Sequence, residues 1–198
     1  MKKFVFISVL SLLFFFSNAQ NHGVSLSYAP WGYERIRTHA TISGVDEPQE
    51  VILKGYHSFL KPVLKFDFET HWGSTIHLIE AAYSTADLTG QFTINTTDTT
   101  SFSFSATYNV KQLGIYWHPG FVIMPQRRVQ IPVFAGMGIN YYFSDVRLFM
   151  FDLSLMAQVR VYLINQLALF GAYSMHYGFT KQSSGFKHFP EIGLIYEF

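Results

Sequence analysis

From Phe149 to Leu163 the chain alternates without a fault. Phe149, Phe151, Leu153, Leu155, Ala157, Val159, Val161 and Leu163 take the odd places; Met150, Asp152, Ser154, Met156, Gln158, Arg160 and Tyr162 take the even ones. Successive side chains of a strand point to opposite faces, so one face of this segment is hydrocarbon and the other largely polar. A helical period would scatter Asp152 and Arg160 around the axis, so the strand template is the one that fits.

The same period recurs along the chain. Val129, Ile131, Val133, Ala135, Met137, Ile139 and Tyr141 oppose Gln130, Gly136, Gly138 and Asn140. Leu60, Pro62, Leu64, Phe66 and Phe68 oppose Lys61, Lys65, Asp67 and Glu69, and Glu80 lies opposite Ile79 and Ala81. From Phe102 the apolar set runs through Phe104, Ala106, Tyr108 and Val110, then changes parity to Leu113, Ile115 and Trp117; a β-bulge near Lys111–Gln112 is expected to absorb the shift. Eight strands are predicted, at 22–30, 54–70, 75–93, 101–117, 129–143, 147–163, 167–178 and 187–198. A hairpin within 31–53 would make the count ten. Connections at 71–74 and 165–166 are short, and that at 118–128 is longer. The opposite set includes Trp31–Leu53, a Thr-rich tip at Asn95–Thr100, and Thr180–Gly185; the segments from Gln91 and from Thr99 can continue as a hairpin above the membrane, and the loop candidates for interaction are Trp31–Leu53, Gly90–Thr100 and Gly178–Lys187. Short turns at one end and long loops at the other are the asymmetry of outer-membrane barrels.

Alternation alone does not say which face is inside. Composition does: charged residues are 14% of the chain, against about 25% in an average soluble domain. That is too few to cover a water-facing cylinder, whereas the apolar face is nearly continuous and ends in aromatics at Tyr28, Trp117, Tyr141, Tyr177, Tyr196 and Phe198. Aromatic girdles at two interfaces belong to a membrane barrel. The expected fold is therefore all-β: one closed, antiparallel, up-and-down transmembrane β-barrel spanning 20–198. Closure removes the unpaired edges that hydrocarbon does not tolerate. The 14 Lys+Arg against 13 Asp+Glu exclude a basic nucleic-acid footprint, and the absence of cysteine excludes disulfide, thiolate and lipidated-Cys chemistry.

Two terminal signals give location. Lys2 and Lys3, the apolar run Phe4–Phe16 and the small residues Ser17 and Ala19 read as a secretory signal peptide over 1–19, cleaved after Ala19. At the other end, Glu191, Gly193, Tyr196 and Phe198 match the polar, Gly, hydrophobic and hydrophobic positions of a terminal assembly signal. This pattern resembles that of bacterial outer-membrane barrels. The whole chain is similar in architecture to the OmpA/OmpX type of small barrel. The resemblance implies recognition of the last strand by the barrel-assembly machinery, residence in a Gram-negative outer membrane among lipid and lipopolysaccharide, and an unidentified surface partner.

An eight-stranded interior has room for side chains and little more. The polar face carries Lys61, Lys65, Asp67, Glu69, Glu80, Asp152, Arg160 and Glu191. Buried ions need partners, so a cross-barrel network around Arg160 is expected. Ser174 and His176 share that face but lack a neighbouring carboxylate, and the alternative function of lipid acyl hydrolase rests on them alone. A narrow transporter or lipid carrier is a further alternative. The eight histidines are dispersed, so no metal site, cofactor or catalytic set is assigned. Asp98-Thr99-Thr100 is a short pattern compatible with O-glycosylation. The function expected is envelope structure or surface interaction through the extracellular loops.

Overall fold

The computed structural model describes residues 21–40, 49–95, 101–125 and 128–198. The predicted signal peptide and Thr99 lie outside them. Ten strands follow in chain order: β1 (Asn21–Ala29), β2 (Gly32–Ala40), β3 (Gln49–His57), β4 (Val63–Trp72), β5 (Thr75–Asn95), β6 (Ser101–Pro125), β7 (Val129–Ser144), β8 (Leu148–Ile164), β9 (Leu167–Phe179) and β10 (Ser184–Glu197). All neighbours are antiparallel. From β4 through β10 each strand pairs with the next, and β1 pairs with both β10 and β4, so the ladder returns to its start. Backbone bonds between His22 and Phe198, at 3.1 and 2.7 Å, tie the two ends of that ring together. β2 and β3 stand beyond β1 and β4 in the same two places, β2 beside β10 and β3 beside β5. Ten strands thus occupy eight positions around the wall.

The exterior carries Leu64, Phe66, Ile115, Met137, Ile139, Phe151, Leu153, Leu155, Val159, Leu194 and their neighbours, all exposed. The interior holds Lys65, Asp67, Glu69, Glu80, Asp152, Arg160 and Glu191, all buried. This inverts a soluble barrel, and its natural surroundings are acyl chains.

Several sequence expectations need correction. Trp31–Leu53 is not a loop but holds the hairpin of the ten-strand alternative, because β2 and β3 pair from Gly32↔His57 to Ala40↔Gln49. The strand expected over 54–70 is broken at Ser58–Pro62. The loop candidates Gly90–Thr100 and Gly178–Lys187 are narrower than their outer bounds: β5 and β6 continue as the expected hairpin to Asn95↔Ser101, and β10 begins at Ser184; the connection expected over 118–128 is strand as far as Pro125. There is no bulge at Lys111–Gln112: β6 stays in one register with β5 from Ser101 to Phe121, and its irregularity lies at Val122–Pro125 against β7. The physical reason is that the side-chain parity never changes; the medium does. Even-numbered Ala106, Tyr108 and Val110 point inward, as do Gln112, Gly114 and Tyr116, while Ser105, Thr107, Asn109, Lys111, Leu113 and Ile115 point outward. Beyond the apolar band the outer face turns polar and the inner face apolar. There Ile36, Val51, Leu53, Ala86, Leu88, Val110, Tyr142 and Met150 form a core like that of a water-soluble barrel.

The two regimes meet at a seam. β1 leaves β10 at Tyr28↔Ile192, and β2 rejoins it at Tyr33↔His188. Pro30, Pro62 and Pro190 all fall in this gap on three adjacent wall positions, where a missing N–H leaves no ladder partner unsatisfied. At the opposite end the β4–β5 hairpin turns through Gly73–Ser74, with Gly73 at φ +61° supplying the left-handed residue of a two-residue loop.

The band carries a quantitative expectation. Leu155→Arg, on the lipid side at mid-height, should destabilise the barrel by about 2–4 kcal/mol in detergent or lipid unfolding titrations, while Thr107→Arg on the polar extension should leave it within about 0.5 kcal/mol.

Candidate functional site

Among the described residues the lumen concentrates the buried ionisable groups, and β4, β5, β8 and β10 deliver most of them by alternate placement. They form three layers, each centred on one cation.

Nearest the chain ends, Arg160 of β8 reaches across to Glu69 of β4 in a two-pronged pair of 2.7 and 2.5 Å, and donates to Gln158 Oε1 at 2.9 and 2.8 Å. His71 Nε2 lies 2.5 Å from Glu69 Oε1, and Glu197 lies 3.9 Å from the guanidinium while accepting a bond from Tyr162. Paired fork geometry of this kind is the strongest form of buried ion pair. Glu69, His71 and Glu197 bring ligand atoms within 4.8 Å of one another. Glu69, however, spends both oxygens on Arg160, and a guanidinium fills the charge a cation would supply.

In the middle layer, Lys65 Nζ lies 2.8 Å from Glu191, 3.2 Å from Glu80 and 3.3 Å from Ser174 Oγ. Ser174 donates to Glu191 at 2.5 Å, Ser27 donates to the other Glu191 oxygen at 3.3 Å, and Ser25 donates to Asp67 at 2.7 Å. His118 Nε2 stands 3.4 Å from Glu80.

In the outermost layer, Lys187 Nζ meets Asp152 at 3.0 Å, Tyr116 Oη at 2.9 Å and Gln112 at 3.3 Å; Tyr116 donates to Asp152 at 2.8 Å. Above it Glu34 accepts from Gln112 at 3.1 Å and from Tyr142, with His57 at 3.5 Å. The Tyr116 ring lies over Gly114 and Gly138, where a Cβ would come within 2.5 and 2.3 Å of it.

Of the residues read from sequence, Lys65, Asp67, Glu69, Glu80, Asp152, Arg160 and Glu191 are brought into this column. Lys61 is not, and this corrects the sequence expectation. It sits past the break in the wall, outside, paired with Asp87. The Lys61 ammonium and the Asn109 amide hold the Asp87 carboxyl below its usual range. Ser174 and His176 do not form a dyad: the serine is fully buried with its hydrogen on Glu191, and neither ring nitrogen of His176 has a hydrogen-bond partner. The His176 ring instead packs edge-on against Tyr116 at 4.9 Å. Sequence reading missed Lys187, although it is in phase with Glu191 and Gly193 on β10. It missed Glu34 and His57 because both fell in or beside the segment read as a loop. It missed His71 and Glu197 because nothing local joins them.

The terminal assembly positions divide by face. Glu191 and Gly193 look inward, and a Cβ on Gly193 would lie 2.4 Å from the Phe170 ring and 2.6 Å from the Leu26 carbonyl. Tyr196 and Phe198 look outward and stack at 6.4 Å.

The side chains of the column pack closely around a cavity of about 10 Å³ lined by Lys65, Glu80, Ser84, Tyr116, His176 and Phe189 among others, which is room for about one water molecule. The ion pairs of this column join wall positions far apart in the chain. Arg160→Ala should cost about 3–5 kcal/mol by stranding Glu69, and Arg160→Met combined with Glu69→Leu should recover most of it, as read from urea midpoints. Gly193→Ala should cost about 1–3 kcal/mol through overpacking against Phe170, with faster unfolding in the same assay.

No protein-family model and no curated protein matches the chain. Among solved structures, Neisserial surface protein A superposes with a TM-score of 0.57 at 10% identity, covering 89% of this chain and 97% of that one. The outer membrane protein OprG from Pseudomonas aeruginosa gives 0.56 at 10% identity, covering 91% and 97%. At such identities the likeness is one of fold, and the chain has the architecture of the small outer-membrane β-barrels.

Proposed function

We propose that the chain is an integral outer-membrane protein of a Gram-negative bacterium that acts at the cell surface, through the rigid barrel extension built by β2, β3 and the outer parts of β5 and β6. The observation that carries this reading is the pairing of a plugged lumen with a wall whose polarity inverts beyond the apolar band. A pore has no need to prolong its wall into water around an apolar core, whereas a surface displayed to partners gains rigidity from one. The outward face of the extension offers Arg35, Arg37, Glu50, Lys54, Thr89, Thr107 and Asn109, a mixed polar surface suited to binding. The signal-like segment 1–19 supports export with cleavage after Ala19. Glu191, Gly193, Tyr196 and Phe198 support handling by the barrel-assembly machinery. Lipopolysaccharide and outer-membrane lipid are the surroundings this reading supplies.

The absence of cysteine makes a clean test available. Thr107→Cys should react with a membrane-impermeant maleimide on intact cells, whereas Leu153→Cys and Ser154→Cys should not. Labelling of Thr107→Cys only after permeabilisation would place the extension on the wrong side. Stable channel currents from the purified protein in planar bilayers would contradict the plugged lumen.

A further inference from the structure

On the outer face, Arg35 of β2 and Lys54 of β3 stand directly opposite each other in the ladder. Both are exposed. Like charges at directly opposed positions of an antiparallel pair are destabilising. Among the described residues, the exposed acids of this face are already engaged, Glu50 by Arg37 at 3.4 Å and Asp87 by Lys61 and Asn109. Neither Arg35 nor Lys54 has an ion pair or hydrogen bond among the described residues.

The pair sits on an aromatic ledge. One step toward the apolar band lie Tyr33 and Tyr56, again directly opposed, with ring centroids 5.2 Å apart. Tyr33 continues to His188 at 5.9 Å, and Phe186 faces Arg35 from β10. Tyrosines collect at the boundary of the hydrocarbon, where the ring is apolar and the hydroxyl wet. The two uncompensated cations therefore stand at the height of the lipid headgroups, with a hydrophobic shelf beneath them for acyl chains.

We infer that Arg35 and Lys54 form a clamp for a phosphorylated lipid headgroup of the outer leaflet, with the chains of that lipid lying against Tyr33, Tyr56 and Phe186. The guanidinium offers a planar fork to two phosphate oxygens and the ammonium a mobile point charge to a third. A phosphate bridging the two removes the repulsion that the bare pair leaves in the wall. A lipid is favoured over a soluble acidic partner because the cations are adjacent to the aromatic belt, and a ligand with chains gains from both. The inference rests on the membrane-resident reading above.

The test uses the full-length protein folded in detergent micelles, with native mass spectrometry counting bound lipid. Diphosphorylated lipid A is offered beside its dephosphorylated counterpart. The unaltered protein should retain the phosphorylated form preferentially, and Arg35→Gln with Lys54→Gln should lower its occupancy about tenfold or more. Arg128→Gln, an exposed cation at the opposite end of the barrel beside the start of β7, should leave occupancy unchanged. A shift in gel mobility on boiling, equal to that of the unaltered protein, would show that the double variant still folds. Equal retention by the double variant, or no preference for the phosphorylated lipid, would overturn the clamp. Displacement of the lipid by inorganic phosphate alone would overturn its assignment to lipid. None of these results disturbs the maleimide test, so failure of the clamp and failure of the membrane reading are separable.

Discussion

Hydrocarbon offers no partner to a peptide N–H or C=O, so every strand within the apolar band has to be met on both sides by another strand. That requirement fixes the rest of the architecture. It forces the ladder into a ring, and the ring is completed where β1 lies against β10 and Phe198 exchanges backbone bonds with His22. It confines interruptions of the ladder to places where something else removes the demand. Pro30, Pro62 and Pro190 sit together at such a place, each deleting a donor from a stretch of backbone that has lost its neighbour.

Closure then dictates the electrostatics. The period-two chain that covers the outside with Leu, Phe and Val must deliver its alternate residues to an enclosed space. Among the described residues, six buried carboxylates (Glu34, Asp67, Glu69, Glu80, Asp152 and Glu191) meet three buried cations (Lys65, Arg160 and Lys187) and the histidines His57, His118 and His176. Each cation is surrounded by acceptors drawn from several strands, so the layers act as cross-braces between wall positions far apart in sequence. Arg160 and Glu69 illustrate the point: they join β8 to β4 across the barrel, and the pairing is worth keeping mainly because losing one partner would strand the other in a low-dielectric interior. The lumen contributes stability and shape, and on the proposed reading recognition falls to the outer surface.

Much of this was legible in the sequence. Parity placed Asp67, Glu69, Glu80, Asp152 and Arg160 inward because a strand offers two faces and the opposite one was unbroken hydrocarbon. What failed did so where one physical assumption, that the outside of the wall is always apolar, ceased to hold. At Ala106–Val110 the apolar residues still alternate, but they line the inside of an extension that stands in water, and reading them as lipid-facing produced a bulge at Lys111–Gln112 that the β5–β6 register does not contain. The same assumption left β2 and β3 as an alternative hairpin within 31–53, because their outward residues include Arg35 and Arg37 and show no apolar face. Lys61 was drawn into the lumen by a strand continued through Ser58–Pro62. The partnerships of His71 with Glu69 and of Lys187 with Asp152 depend on which strands become neighbours, and no local pattern encodes that.

The seam shows how closely the sequence follows its two solvents. Between the last shared pair below, Ala29↔Val63, and the first above, Gly32↔His57, the two residues Pro30 and Trp31 face the longer stretch from Ser58 to Pro62. The surplus has to leave the wall. Inward it would meet His57 and Phe189, whose rings are already in edge contact at 5.1 Å. It leaves outward as a two-residue hairpin, Phe59–Leu60, closed by backbone bonds between Ser58 and Lys61 at 3.3 and 2.9 Å. The Tyr28 hydroxyl caps the Phe59 carbonyl at 3.0 Å, and Trp31 stands beside the Phe59 ring at 6.5 Å. Phe59 and Leu60 are 71% and 94% exposed. In water two such residues at the tip of a hairpin would be the least suitable choice, since turns there favour Gly, Asn and Asp. Below an aromatic belt, facing acyl chains, they are what the medium requires, and the following Lys61 reaches toward Asp87 on the polar side of the boundary.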